Sequence, residues 1–170
     1  MELEETRVQR KLPDTLLIEI KECGDPLAWA QDGTVWLVSP GGKIVEQRNT
    51  VGDYPTIDGC RLLAPSVGTL IALDTENDTR RQSLLELLAA LEAADKLGEV
   101  DAIHIGNAAY LTMDYMGRFS VELNYDADFA YKLRTLDAIL ASGKIQENMT
   151  GTFNMRGEDG KTNFIQNSVK

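Results

Sequence analysis

Apolar and polar residues alternate along TLLIEIKE, residues 15–22, so that Leu16, Ile18 and Ile20 share one face of an extended chain. A period of two marks a half-buried strand. Pro13 and Asp14 bend the chain ahead of it, and residues 1–9, with Val8 in a charged setting, read as an edge strand entering that turn. Asp32-Gly33 and Pro40-Gly41-Gly42 punctuate two more strands, 34–39 and 43–47, as tight-turn residues do. Residues 48–75, interrupted by Gly52, Pro55, Gly59, Pro65 and Gly68, are expected to be irregular.

The period then changes. Leu84, Leu88 and Leu91 recur at helical spacing, with Leu85 and Leu87 widening the apolar face, which predicts a helix over about 79–97. Asn77 or Asp78 can cap it and Gly98 can end it. Arg80 and Arg81 oppose the helix dipole, so the first turn is expected to fray or to pair with an acid. Three strands follow at 100–106, 110–116 and 118–124, with Gly117 in the turn between the last two. Met116 is a poor residue for a left-handed backbone, which predicts a longer or strained turn. Asp126 and Asp128 suit the start of a second helix, 126–142, whose stripe is Phe129, Leu133, Leu136 and Leu140 and whose stop is Gly143. A hairpin closes the chain: 151–156, a turn at 157–160, and 161–165. The pattern predicts an α+β fold, an antiparallel-rich β-sheet with two long helices packed on one face and a C-terminal edge hairpin.

Composition narrows the function more than the fold. The 170 residues carry a formal net charge of −10, which argues against an electrostatic grip on nucleic acid or on an anionic membrane surface. No apolar run approaches the roughly 20 residues that span a bilayer. Cys23 and Cys60 are too few to staple a chain of this size; two free thiols and a single Cys23–Cys60 disulfide both stay open. His104 is the only histidine and lies on the strand face opposite Ile103 and Ile105, with no nucleophile or metal-ligand spacing around it. The acid pairs Glu4–Glu5, Asp126–Asp128 and Glu158–Asp159 fall at termini and turns, where solvation keeps both carboxylates ionised, whereas a two-carboxylate hydrolase buries one. DADFAYK and GEDG lack the ligand order of a calcium loop. Trp29 and Trp36 read as core and half-buried positions. No cofactor motif is present, and the pattern predicts no catalytic residue, cofactor site or metal site.

The order of these segments resembles the extracytoplasmic part of the bacterial cell-division protein family FtsQ/DivIB. RKLPDTLLIEIKE at 10–22 is similar to the basic, Pro-containing turn that ends that family's small POTRA module. YPTIDG at 54–59 is similar to its Leu-Pro-x-x-x-Gly link, and YKLRTLDAIL at 131–140 to its second helix. The resemblance implies two units, residues 1–24 as the last two strands of a truncated POTRA module and 25–170 as the larger β domain. It also implies a longer protein with a transmembrane helix upstream, held in the cell membrane as a single-pass protein on the extracytoplasmic face of the division septum. On that footing the chain is a scaffold and not an enzyme. It binds FtsB/DivIC-like and FtsL-like partners, and the complex regulates septal peptidoglycan synthesis.

The resemblance places partner binding on the last hairpin, at Arg156, Lys161, Thr162, Asn163, Phe164 and Ile165. Arg156 stands where the family has a basic residue that meets partner acids, while Gly157 replaces the family's aromatic residue. Alternation puts Thr162 and Phe164 on one face and Lys161, Asn163 and Ile165 on the other, so one of Phe164 and Ile165 is expected in the core and the other outside it. Two rivals remain: a cell-wall or carbohydrate hydrolase with a carboxylate pair, and a POTRA-type polypeptide-binding module.

Overall fold

The computed structural model describes residues 3–11, 15–22, 24–158 and 160–168; within the first two stretches only the side chain of Val8 is described. Strands β1 (Leu3–Lys11) and β2 (Thr15–Glu22) pair antiparallel, with Val8 opposite Ile18 and Lys11 opposite Thr15. They form a two-stranded sheet of their own, and Val8 is 60% exposed. Pro13, Asp14, Cys23 and the side chain of Leu17 lie outside the described residues.

The rest builds one nine-stranded sheet. Its strands are β3 (Leu27–Gln31), β4 (Thr34–Val38), β5 (Ile44–Arg48), β6 (Thr56–Asp58), β7 (Val100–His104), β8 (Tyr110–Tyr115), β9 (Phe119–Asn124), β10 (Gly151–Asn154) and β11 (Asn163–Gln166), with helices α1 (Asp78–Ala93) and α2 (Phe129–Ala141). The spatial order is β11-β10-β9-β8-β7-β6-β3-β4-β5. Neighbours run parallel at β3/β6, β6/β7 and β9/β10 and antiparallel elsewhere. The fold is therefore α+β with a mostly antiparallel sheet.

The parallel joints explain the helices. A parallel neighbour cannot be reached by a tight turn and needs a crossover, usually helical. α1 lies in the crossover from β6 to β7, and α2 in that from β9 to β10. β6 and β9 run in the same direction, and both crossovers step the same way along the sheet. Crossovers of one hand then put both helices on one face. Leu84, Leu87, Leu88 and Leu91 of α1 and Phe129, Leu133 and Leu136 of α2 share a single buried cluster with Trp29, Ile57, Ile103, Met113, Val121 and Phe153 of the sheet. The opposite face carries a small apolar cluster only near β3–β5, around Ala28, Val35 and Leu37. From β6 to β10 that face is lined by half-exposed polar side chains such as Thr112, Asp114, Ser120, Glu122 and Thr152.

Local chemistry departs from the sequence reading at several element ends. β6 lies inside the segment expected to be irregular, because three residues are too few to show a period. α1 stops at Ala93, short of 97: Ala94 ends it and Asp95 turns left-handed at φ 56°, so Gly98 falls in a following 3-10 turn. Asn77 occupies the cap position without a side-chain bond, whereas Asp128 caps α2 by accepting from the Tyr131 N–H. Arg81 pairs with Asp78 at 2.7 Å, offsetting its poor place near the helix start. The turn after β8 has three residues, 116–118, with Met116 at φ 57° and Gly117 at φ 63°. Met116 therefore takes the left-handed backbone at some cost, held by its N–H donating to the Glu99 carbonyl and Gly117 N–H donating to Asp101. Trp29 is fully buried, and its indole N–H donates to the Cys60 carbonyl.

One contact is unusually intolerant. Gly59, just past β6, has φ 103°, and a Cβ there would sit 2.1 Å from the backbone nitrogen of Gly106. Replacing Gly59 by Ala should destabilise the domain by more than the roughly 1–3 kcal/mol of a strained backbone alone, because two main chains must separate. Replacing Leu88 or Leu136 by Ala should cost about 2–5 kcal/mol through lost transfer energy and an unfilled cavity. Chemical denaturation of each variant measures both, and unchanged midpoints would refute the packing described.

Candidate functional site

Strand β11 ends the sheet: it pairs with β10 and, among the described residues, with no other strand. Which of its backbone groups face outward follows from the ladder. The Asn167 N–H donates to the Thr150 carbonyl, one step beyond the Gly151–Gln166 pair in the same register. Hydrogen-bonded pairs alternate in an antiparallel ladder, so Ile165 and Asn163 bond inward to Thr152 and Asn154. The main-chain groups of Phe164 and Gln166 then point away from the sheet. The β9/β10 side agrees, since the Gly151 N–H donates to Arg118 and the Met155 N–H to Glu122, leaving Thr152 and Asn154 for β11.

Side chains divide the same strand. Phe164 lies opposite Phe153 and packs on it and on Phe119, with ring centroids 4.7 and 6.1 Å apart. Ile165 falls on the other face and is 62% exposed. Of the two candidate anchors, Phe164 joins the core and Ile165 stays outside. Gly151 makes the approach possible, since a Cβ there would lie 2.3 Å from the Ile165 carbonyl and 2.8 Å from the Phe164 ring.

The remaining expected site residues spread over the loop from β10 to β11. Lys161 and Thr162 precede β11, so the strand begins two residues later than the sequence suggested. Arg156 lies beyond the end of β10, with its guanidinium 4.4 Å over the Tyr110 ring and its Nε 3.2 Å from Glu122. It is thus oriented by β8 and β9 together with Asn154 at the end of β10, whose side-chain oxygen accepts from the Arg156 backbone N–H and Nε.

Residues that the sequence reading passed over fix this loop. Lys132 of α2 is buried, and its ammonium donates to the Gly157 carbonyl at 2.7 Å. Asn124 donates to the Arg156 carbonyl at 2.7 Å. Arg118 donates to the carbonyls of Gln146 and Met149, holding the chain as it enters β10. Each is a donor reaching a carbonyl 25 to 32 residues away, a kind of contact that leaves no periodic signal.

The far edge is different. The main-chain N–H and C=O of Ile44, at the start of β5, bond to Thr69 and Gly68 of a covering loop. The β4/β5 register shifts between Leu37 and Val38, and Glu46 and Arg48 of β5 pair at 2.5 Å. Covering, irregularity and charge all discourage strand addition. β11 pairs with β10 in unbroken register and exposes an isoleucine.

His104 is held from both sides on the open face of β7. Its Nδ1 lies 2.9 Å from Asp58 and its Nε2 2.9 Å from Asp114. Burial opposes its charge, but the bonds to Asp114 and Asp58 outweigh that and raise its pKa above the usual value. Both ring nitrogens are thus engaged by carboxylates, and no hydroxyl or thiol nucleophile is hydrogen-bonded to either. Asp126 and Asp128 are exposed and Asp128 is used as a cap; Glu158 is exposed, while Asp159 and the side chains of Glu4 and Glu5 lie outside the described residues. Cys60 is a free thiol beside Arg80, and its relation to Cys23 also lies outside them. A depression of about 500 Å³ is lined by three exposed carboxylates, Asp25, Asp53 and Asp101, together with Tyr54. Among the described residues no group of three acids, cysteines or histidines is placed to hold a metal ion, and no helix is long and apolar enough to cross a membrane.

Comparison with protein-family models finds no match, and a search of curated proteins finds none either.

Replacing Lys132 by Met keeps the stem's packing but removes the charged donor to Gly157. A lost hydrogen bond to a charged group costs about 1.5–3 kcal/mol. Thermal unfolding should show that loss, and amide exchange should quicken at 157–162; unchanged exchange there would mean that the lysine does not hold the loop.

Proposed function

We propose that this chain is a protein-binding scaffold of the FtsQ/DivIB type, the extracytoplasmic part of a single-pass membrane protein at the division septum. On this reading residues 1–24 are the last strands of a POTRA module and 25–170 the β domain. The C-terminal hairpin binds an FtsB/DivIC-like partner, with an FtsL-like protein in the same complex, and the assembly regulates septal peptidoglycan synthesis. The observation that carries the reading is the contrast between the two sheet edges. β5 is covered at its first residue, Ile44, follows an irregular register and carries an ion pair, whereas β11 turns the main-chain groups of Phe164 and Gln166 outward beside an exposed Ile165. An added strand satisfies such groups directly, and a pocket or groove beside the edge selects its side chains.

The element order supports the same reading, and so does Arg156. Its guanidinium lies over Tyr110 of β8 and beside Glu122 of β9, inward of the edge strand, so the acid it would meet belongs to a part of the partner beyond the added strand itself. Function by strand addition needs no cofactor and no chemistry of its own.

The test is a titration of the folded domain with the extracytoplasmic segment of an FtsB/DivIC-type protein. Gln166→Pro removes one outward N–H without touching the β10 ladder. Ile165→Asp puts a charge on the exposed anchor, and Arg156→Glu reverses the charge near the hairpin. Each should weaken binding by about tenfold or more while the unfolding midpoint stays close to that of the parent. Asn163→Pro serves as a contrast: its N–H faces β10, so it should loosen the hairpin itself. Undiminished binding by folded Gln166→Pro and Arg156→Glu would place the site elsewhere.

A further inference from the structure

The sheet has a narrow waist. β6 is three residues long and joins β3 on one side through a single register pair, Ala28 with Thr56, and β7 on the other through three. All connection through the sheet between β3-β4-β5 and β7-β8-β9-β10-β11 passes through this segment. At its C-terminal end Asp58 stands directly opposite His104, and Asp114 of β8 approaches the other side of the same imidazole. The three side chains therefore bridge three neighbouring strands on the open face.

Proton counting decides what this bridge is. A neutral imidazole carries one N–H and one lone pair, so it can satisfy one carboxylate while turning its lone pair toward the other. Two N–H groups, one for each carboxylate, exist only on the imidazolium. Other groups around His104 do not replace this charge. From β6 the facing residues are Thr56 and Asp58, and from β8 Thr112 and Asp114; Asp101 lies upstream on β7 itself. Glu122 of β9 is taken by Arg156. From the helix side, Arg80 of α1 ends on the carbonyls of Ile105 and Gly106, and Ile103 and Ile105 are buried on that face.

The geometry points to a proton-dependent latch: Asp58, His104 and Asp114 pin β6 to β7 and β8 while the imidazole is charged, and release that pin when it is neutral. The sign follows from linkage. The folded state holds the proton more tightly than the unfolded chain, whose histidine titrates near 6.5. The latch therefore contributes in full below about pH 6.5, and its contribution disappears as the pH rises through the folded value. Loss of the pin acts first on β6, the shortest strand of the sheet.

The chain's single histidine makes the test direct. Nuclear magnetic resonance of the ring should show His104 titrating above 6.5, with Asp58→Asn and Asp114→Asn each lowering the value. Protection factors of the amides at 56–58 and 102–104 should fall across the same titration in the parent and not in His104→Gln. The difference in unfolding midpoint between parent and His104→Gln should shrink as pH rises, by roughly 3–5 °C for each unit of raised pKa, the lower end or less being expected for side chains this exposed. A His104 value at or below 6.5 overturns the latch without any variant having to fold. Protection at β6 that ignores pH, or falls identically in His104→Gln, overturns it too. These readouts involve no binding partner, so their outcome is independent of the scaffold proposal.

Discussion

A parallel neighbour has to be reached by a crossover, and two of the three parallel joints, those crossed by helices, organise this molecule. The joint from β6 to β7 requires α1 and that from β9 to β10 requires α2. Because the strands that launch them run the same way, both helices land on one face and bury their leucines against the same sheet. Everything else accommodates that burial: the opposite face is left polar from β6 to β10, and the two ends of the sheet become its edges.

Those edges are treated unequally. At one end a loop bonds to Ile44, and a register irregularity and an ion pair follow it. At the other, the chain builds a support for an uncovered strand. Phe164 of that strand packs edge-on or tilted against Phe119 and Phe153, and Lys132, Asn124 and Arg118 hold the loops before and after β10. On the proposed reading such rigidity is useful, since ordering the strand at the moment of binding would subtract from affinity. Placing a buried lysine against a carbonyl is a costly way to fix a loop unless the loop's position matters.

Buried and half-buried polar groups elsewhere follow one logic. Tyr115 is sunk in the core with its hydroxyl donating to Glu99, and burial together with that bond pushes its pKa up. Glu99 and Asp137 both meet Lys96, tying the 3-10 turn before β7 to α2. Ser83 of α1 donates to the Tyr125 carbonyl ahead of α2. These contacts join the two crossover helices to each other and to the turns between strands, so the helix layer and the sheet are specified together.

The sequence alone determined the α+β class, the two leucine-striped helices and the antiparallel run from β7 to β9, because each is long enough for its period to show. It also placed Thr162 and Phe164 on one face of the last strand and Ile165 on the other, since alternation is a local property. It left β6 unread, as three residues carry no period, and it misjudged the stop of α1, where Asp95 took a backbone more usual for glycine. Only the tertiary structure decided the strand order, the parallel joints and which edge is left open. The Asp58–His104–Asp114 bridge and the Lys132 and Arg156 contacts are of the same kind. Each depends on groups 10 to 46 residues apart, and their meeting is fixed by where the crossovers set the strands, a distance relation to which hydrophobic periodicity is blind.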